Sequence, residues 1–203
     1  MMLPTHALVG MALALPVVVV APEFAGVALV AGLLGGVFPD LDLYAGHRRT
    51  LHYPSYYPAL AALALCLAVT VPSEATVGVA AFVLSAGVHS LMDVFGGGLE
   101  LQPWLGTSER AVYDHYRGRW LAPRRWIRYD GSPGDLVLSA ILAVPLLVWL
   151  EGVLRTAVVA LLGIAVVYAA VRRLLPTLAT GLVRVMPAPI RRYVPARYVE
   201  ATG

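Results

Sequence analysis

The side chains in this sequence that could hold a metal ion are unevenly placed. His6, His47, His52 and His89, together with Asp40, Asp42, Asp93 and Asp135, all fall at the edges of apolar segments. Ionisable groups at bilayer depth are expensive and usually functional, and mixed imidazole and carboxylate donors suit a borderline divalent cation. In His89-Ser90-Leu91-Met92-Asp93 the two donors are four residues apart. On a helix that spacing puts both on one face, within reach of a single ion. Pro39-Asp40-Leu41-Asp42 offers two carboxylates from a proline-led turn, although Asp in such turns also caps helices or solvates loops. His47-Arg48-Arg49-Thr50-Leu51-His52 follows, adding two imidazoles and two guanidinium groups. Thr5-His6 opens the first apolar segment, and Ser132-Pro133-Gly134-Asp135 opens a later one, where Ser132 and Asp135 also match a shortened capping box.

Positioning these groups requires apolar elements, and the composition supplies them. The 203 residues are 59% hydrophobic and 13% charged, with a mean hydropathy of +0.76. Those values exclude an ordinary soluble domain and imply an integral membrane protein. Apolar segments at residues 7–21, 24–38, 57–71, 75–95, 136–150 and 156–171 predict an all-α polytopic membrane helix bundle of about six short spans. Most are near the lower length limit for crossing about 30 Å of hydrocarbon, so tilting or local thinning is expected. The first two, joined by Pro22-Glu23, would also suit a re-entrant hairpin. The first segment lacks the positive flank of a signal peptide, the first Arg being Arg48, so it is kept in the fold.

Charge gives the orientation. All 15 basic residues are Arg, and only Arg155 lies in a short turn between segments. The connection at 39–56, the long connection at 96–134 and the C-terminal stretch carry the rest, which by the positive-inside rule puts them and both termini on the cytoplasmic side of the cell membrane. The expected organisation is a bundle over residues 1–175, with 96–134 as an interfacial loop, and a basic cytoplasmic tail over 176–203. In the loop, Trp104, Trp120 and Trp126 alternate with Arg117, Arg119, Arg124, Arg125 and Arg128. That pattern suits a segment resting on headgroups, and membrane lipid, not nucleic acid, is the expected partner. The tail, with Pro187, Pro189 and Pro195 among Arg191, Arg192 and Arg197, reads the same way. The single Cys66 permits no intrachain disulfide and is expected to be a buried thiol. His115, Glu100 and Glu109 are read as surface residues, Gly96-Gly97-Gly98 as a tight exit from the fourth segment, and Ser85 as an interhelical hydrogen-bonding group.

Under this threading the eight candidates come from five chain stretches, yet all fall on the cytoplasmic ends of spans. Four ionised carboxylates among neutral imidazoles would repel one another in a partly dry site, and divalent cations would cancel that charge. Arg48 and Arg49 could instead lock the acids into a salt-bridged polar knot. Rival functions are a transporter that relays protons or metal ions across the membrane, and a noncatalytic metal-binding membrane protein.

The ordered series resembles the membrane-bound metal-dependent hydrolases of bacteria and archaea, the YdjM-like, LexA-regulated inner-membrane group. The resemblance runs through Thr5-His6, Pro39-Asp40-Leu41-Asp42, the block from His47 to His52, and Ser85 to Asp93, then more faintly through Gly96–Gly98, Leu101-Gln102-Pro103-Trp104 and Asp135, covering roughly the first 140 residues. It departs from the family pattern at Leu43, Tyr53 and Asp135, where His, Ser and Glu are usual. It implies hydrolysis by metal-activated water, with two or three Zn²⁺, or alternatively Mn²⁺ or Fe²⁺, held by His6, Asp40, Asp42, His47, His52, His89 and Asp93, and Asp135 as a further ligand. Asp40 or Asp42 would bridge ions, and Arg48 and Arg49 would bind an anionic substrate or stabilise its transition state. The set of His and Asp also looks like the trinuclear zinc sites of phospholipase C and single-strand nucleases, which favours a phosphoester, with a lipid headgroup the simplest choice. No His-Glu-x-x-His is present, which disfavours a zincin protease.

Overall fold

A computed structural model describes residues 1–194 and Tyr198. The chain is mostly helical: α1 (Leu3–Val20), α2 (Ala25–Val37), α3 (Tyr56–Thr70), α4 (Glu74–Phe95), α5 (Pro133–Trp149), α6 (Gly152–Val171), α7 (Leu175–Val185) and the short α8 (Ala188–Arg191). Helices α1 to α6 cover the six apolar segments of the sequence. Among the described residues, four stretches are long and apolar enough to cross a membrane: Leu3–Val20, Pro22–Tyr44, Glu74–Phe95 and Gly152–Val171. Helix α3, at 15 residues, rises only about 22 Å.

Local signals set the helix starts. Ser73 and Thr76 form a reciprocal capping box at the start of α4, satisfying amide donors that the first turn leaves free. Ser132 Oγ accepts from the Asp135 amide at the start of α5, and Pro133 occupies the first turn, where its missing N–H costs nothing.

Helix α1 is the hub, packing on α2, α4, α5 and α6. Leu8, Met11 and Ala14 of α1 meet Ala28 and Leu29 of α2, Ala143 and Leu146 of α5, and Val158 of α6 in the apolar core. A Cβ on Gly10 or Gly32 would strike the other glycine's carbonyl oxygen, so only glycine permits this approach of α1 to α2. Gly36 meets the His6 carbonyl in the same way. These contacts fix the depth of His6 relative to the end of α2.

Burial is inverted at the two levels of the molecule. Val30, Leu63, Leu67, Val79, Ile141, Val144 and Val167 are exposed, while His6, Asp42, His52, His89, Asp93 and Asp135 are buried. An exposed apolar girdle around buried ionisable groups suits hydrocarbon as solvent.

Within residues 96–134, β1 (Val112–Asp114) and β2 (Arg119–Leu121) pair antiparallel with Tyr113 opposite Trp120. One expectation changes. Cys66 is exposed. Among the described residues helix α3 packs chiefly against α4 and buries Ala61 alone, leaving the Cys66 side open. The stretch after residue 175 begins with α7, of which Pro176 and Val183 are buried. Pro195 and Arg197 of that tail lie outside the described residues.

Candidate metal centre

The starts of α1, α3 and α5 and the ends of α2 and α4 gather at one end of the bundle. Residues Phe38–Tyr44 continue α2 as a 3₁₀ helix. Its three-residue turn stacks Pro39 and Asp42 on the buried side. Asp40 then faces His89, the two placed 3.4 Å apart between Oδ1 and Nε2.

Four side chains form a closed ring of contacts. His52 Nε2 stands 3.6 Å from Asp40 Oδ1 and 3.4 Å from Asp93 Oδ2, and His89 Nε2 stands 3.4 Å and 3.6 Å from the same two oxygens. One ligand atom from each of Asp40, His52, His89 and Asp93 lies within 4.8 Å of the others. Neither Nε2 has a hydrogen-bond partner, although both are buried. Such spacings are too long for good hydrogen bonds. They match the edges of a coordination shell instead: donors about 2.0–2.1 Å from a tetrahedral Zn²⁺ are separated by roughly 3.4 Å.

The opposite ring nitrogens are held from behind. His52 Nδ1 meets Asp42 Oδ2 at 3.0 Å, and His89 Nδ1 meets the Gly36 carbonyl at 2.6 Å. Donation from Nδ1 leaves the Nε2 lone pair of each ring pointing at the centre, the usual outer support of a metal-binding histidine. Asp42 also accepts from the Arg48 and Leu51 amides and lies 3.1 Å from His47 Nδ1. Asp42 thus acts on the centre through His52, and His47 sits beside it, 4.0 Å from Asp40.

His6 completes the cluster from α1. Its Nε2 is 3.1 Å from Asp93 Oδ1, and its ring stacks on His89 with centroids 3.6 Å apart. Asp93 also receives two cations, Arg48 Nε at 3.2 Å and the Met1 amino group at 2.6 Å. Among the described residues, Asp40 and Asp42 face only imidazoles as cationic partners.

Arg48 is the one strained ligand-loop residue, with φ of +60°. Left-handed backbone is uncommon for a branched-free but bulky side chain and persists only where surroundings enforce it. Here its amide reaches Asp42, its carbonyl accepts from the Tyr113 amide of β1, and its guanidinium donates to the Gly97 carbonyl. The hairpin and the glycine run therefore brace Arg48 against Asp93, a role beyond the tight exit read from Gly96-Gly97-Gly98. The same loop closes the end of α4, whose Val94, Phe95 and Gly96 carbonyls accept from the Arg124, Ile127 and Arg125 amides.

Two sequence candidates lie apart from this group. Asp135 accepts from the Met2 amide, Thr5 Oγ1 and the Gly131 amide at 2.7–3.0 Å, holding the start of α1. Arg49 places its guanidinium over the Tyr113 ring, 4.7 Å from the centroid. His115 is half-buried, donates to the Arg49 carbonyl and lies against Tyr53. Ser85 Oγ reaches the Gly10 carbonyl at 3.5 Å, as an interhelical group should.

Residues that sequence reasoning missed are chiefly backbone groups. The Gly36 and Gly97 carbonyls orient His89 and Arg48, yet a carbonyl carries no residue-type signal. Asp130 was also passed over. It binds Tyr168 Oη and takes a two-pronged contact from Arg172 at 2.7 and 3.0 Å, joining the end of α6 to the loop before α5. Buried between these groups, Arg172 loses some preference for its charge by desolvation, but the Asp130 carboxylate more than restores it and raises its pKa.

A cavity of about 540 Å³ opens beside the cluster, with Asp40, His47, Arg48 and Glu100 on its wall. Asp40 and His47 retain about a fifth of their side-chain exposure, whereas His52 and His89 retain none. The centre is therefore approached from the Asp40 and His47 side.

No protein-family model, curated protein or solved structure matches the chain. The likeness to membrane-bound hydrolases rests on the motif residues themselves.

Proposed function

We propose that this protein is an integral-membrane, metal-dependent hydrolase that cleaves a phosphoester. The observation that carries the reading is the ring of Asp40, His52, His89 and Asp93, with two buried, unpartnered Nε2 atoms turned inward. A salt-bridged knot would pair those nitrogens with the carboxylates at hydrogen-bonding distance. A divalent ion would draw on all four donors, whose nitrogen-to-oxygen separations of 3.4–3.6 Å are those of a coordination shell, and Zn²⁺ suits the two-nitrogen, two-oxygen set, with Mn²⁺ or Fe²⁺ as alternatives. One ion at this ring is favoured over the expected two or three, because Asp42 is occupied by four hydrogen-bonding partners and Asp135 by three.

An ion held there supplies a Lewis acid for a phosphoryl oxygen and an acidified water. The chain does the rest. Asp42 orients His47 at the cavity wall, so His47 is the group we assign to carry a proton to or from the reacting oxygen. Arg48 fixes Asp93 and presents positive charge to the same wall, which suits an anionic substrate. The six helices α1 to α6 are assigned as short spans, and the Arg bias supports placing the metal-ligating end and both termini in the cytoplasm.

Zinc-loaded protein in maltoside micelles should hydrolyse methyl p-nitrophenyl phosphate. His52→Ala and Asp93→Ala should each lower turnover at least about a hundredfold, the scale of losing a ligand and its electrostatic stabilisation. Unchanged turnover in both variants, or none in the metal-loaded wild type, would sink the assignment.

A further inference from the structure

The cavity that reaches Asp40, His47 and Arg48 does not end there. Beyond its polar mouth it runs between three helices, where Leu3 and Ala7 of α1, Leu161 and Ile164 of α6, and Leu175 and Ala179 of α7 form the walls. A second, more open hollow of about 520 Å³ shares Ile164, Tyr168 and Leu175 with it and is lined by apolar side chains and Gly163. The space beside Gly163 is open, since nothing lies within 4 Å of where its Cβ would be. The two hollows adjoin along α6: the first is polar at the cluster, carries Asp130, Tyr168 and Arg172 on its lining at the end of α6, and is apolar along Leu161 and Ile164, while the second is apolar and opens toward the exposed Val167, which suits lipid.

The shape matches a particular chemistry. A soluble phosphoester needs only the polar mouth, and an apolar trough beside it would be unused surface. An amphiphile with an anionic phosphoester head and an alkyl chain fills both parts, and its chain passes from the trough into the bilayer without crossing water. We infer that the substrate is a lipid phosphoester whose alkyl or acyl chain lies in the α1–α6–α7 trough while its head meets the Asp40–His47–Arg48 wall. This rests on the hydrolase reading for the reaction, but the trough itself is a statement about binding.

Binding and turnover can therefore be read separately. Affinity of zinc-loaded protein for a series of alkylphosphonates, methyl to decyl, is measured in maltoside micelles at fixed detergent. Wild type should gain about fourfold per methylene until the trough is full. Micelle partitioning contributes equally to every variant, so the informative quantity is the difference between them. Ile164→Trp and Ala179→Trp, which fill the trough, should flatten the dependence and lower decylphosphonate affinity at least tenfold. Val159→Trp, on an exposed part of α6, should leave it unchanged. Equal slopes in all four proteins would give the trough to detergent or to the chain's own C-terminal residues and overturn the inference. If the variant-sensitive slope persists while methyl p-nitrophenyl phosphate is never hydrolysed, the trough stands and the hydrolase reading falls. Hydrolysis of that ester without a variant-sensitive slope has the opposite meaning.

Discussion

Two buried acids near the same end of the bundle look alike in sequence and differ in what surrounds them. Asp93 ends α4 and Asp135 begins α5, and both side chains are almost wholly removed from solvent. Asp135 is satisfied by donors that always carry a hydrogen: two amides and a threonine hydroxyl. Such a carboxylate is complete, and its work is to tie the first turn of α1 to α5. Asp93 shares its surroundings with imidazole nitrogens, two of which have no partner at hydrogen-bonding distance. Unsatisfied buried lone pairs are costly, so the two nitrogens suit a metal ion, which the Asp40, His52, His89 and Asp93 group could hold. The imidazoles beside Asp93, rather than burial or position at a helix end, set it apart from Asp135.

The largest effect that would break this contrast is loss of metal. Purified wild-type protein should carry close to one divalent ion per chain by elemental analysis, whereas His52→Ala and His89→Ala should carry almost none. Asp135→Asn should keep the wild-type content. Asp42→Asn tests the outer support: it removes the group that orients His52 and should weaken metal affinity about 10–100-fold without abolishing it. Equal metal content in Asp135→Asn and His52→Ala would erase the distinction.

A smaller effect sharpens the other half. Asp135→Asn leaves amide donors facing an amide nitrogen, and leaving a buried polar group unpaired costs about 1–3 kcal/mol. Thermal unfolding should report that loss while metal content stays constant. No loss of stability would mean that the Met2, Thr5 and Gly131 contacts do not hold α1 in place.

The contrast also marks how far the sequence could be read. Continuous apolar segments placed the helices, and the common end of His6, Asp40, His52, His89 and Asp93 followed from counting segments, because chain direction alternates across a bundle with short turns. The His-x-x-x-Asp spacing is a property of one helix and survives into the structure unchanged. What could not be read was the division of labour among the acids. Asp42 and Asp135 are engaged by backbone amides contributed by loops, Arg48, Leu51, Met2 and Gly131, and an amide has the same identity at every position. Arg49 was equally hidden: Arg48 turns left-handed, and the next side chain leaves the cluster for the Tyr113 ring. Cys66 was misjudged because an apolar run looks the same whether it faces protein or lipid.

The smallest effect concerns the hairpin that braces Arg48. Asp114 of β1 accepts from Ser55 Oγ at 2.9 Å, from the Tyr116 amide at 3.0 Å and from Arg117 at 3.3 Å, tying the hairpin to the start of α3. Burial works against its ionisation, but the Ser55 and backbone hydrogen bonds outweigh that and hold its pKa below the ordinary 3.8. A carboxylate with a depressed folded pKa contributes stability that is fully present above its unfolded value and fades as pH falls through the folded one. Wild-type protein should therefore lose more stability than Asp114→Asn between pH 5 and about pH 3, while at neutral pH the variant should be weaker by about 1 kcal/mol. Because Tyr113 supports the Arg48 carbonyl, the variant should also soften the Arg48–Asp93 contact, read as a modest rise in metal dissociation at neutral pH. A variant with the wild-type pH profile would show that the hairpin is held by the Tyr113–Trp120 ring pair and backbone pairing alone, with Asp114 a bystander.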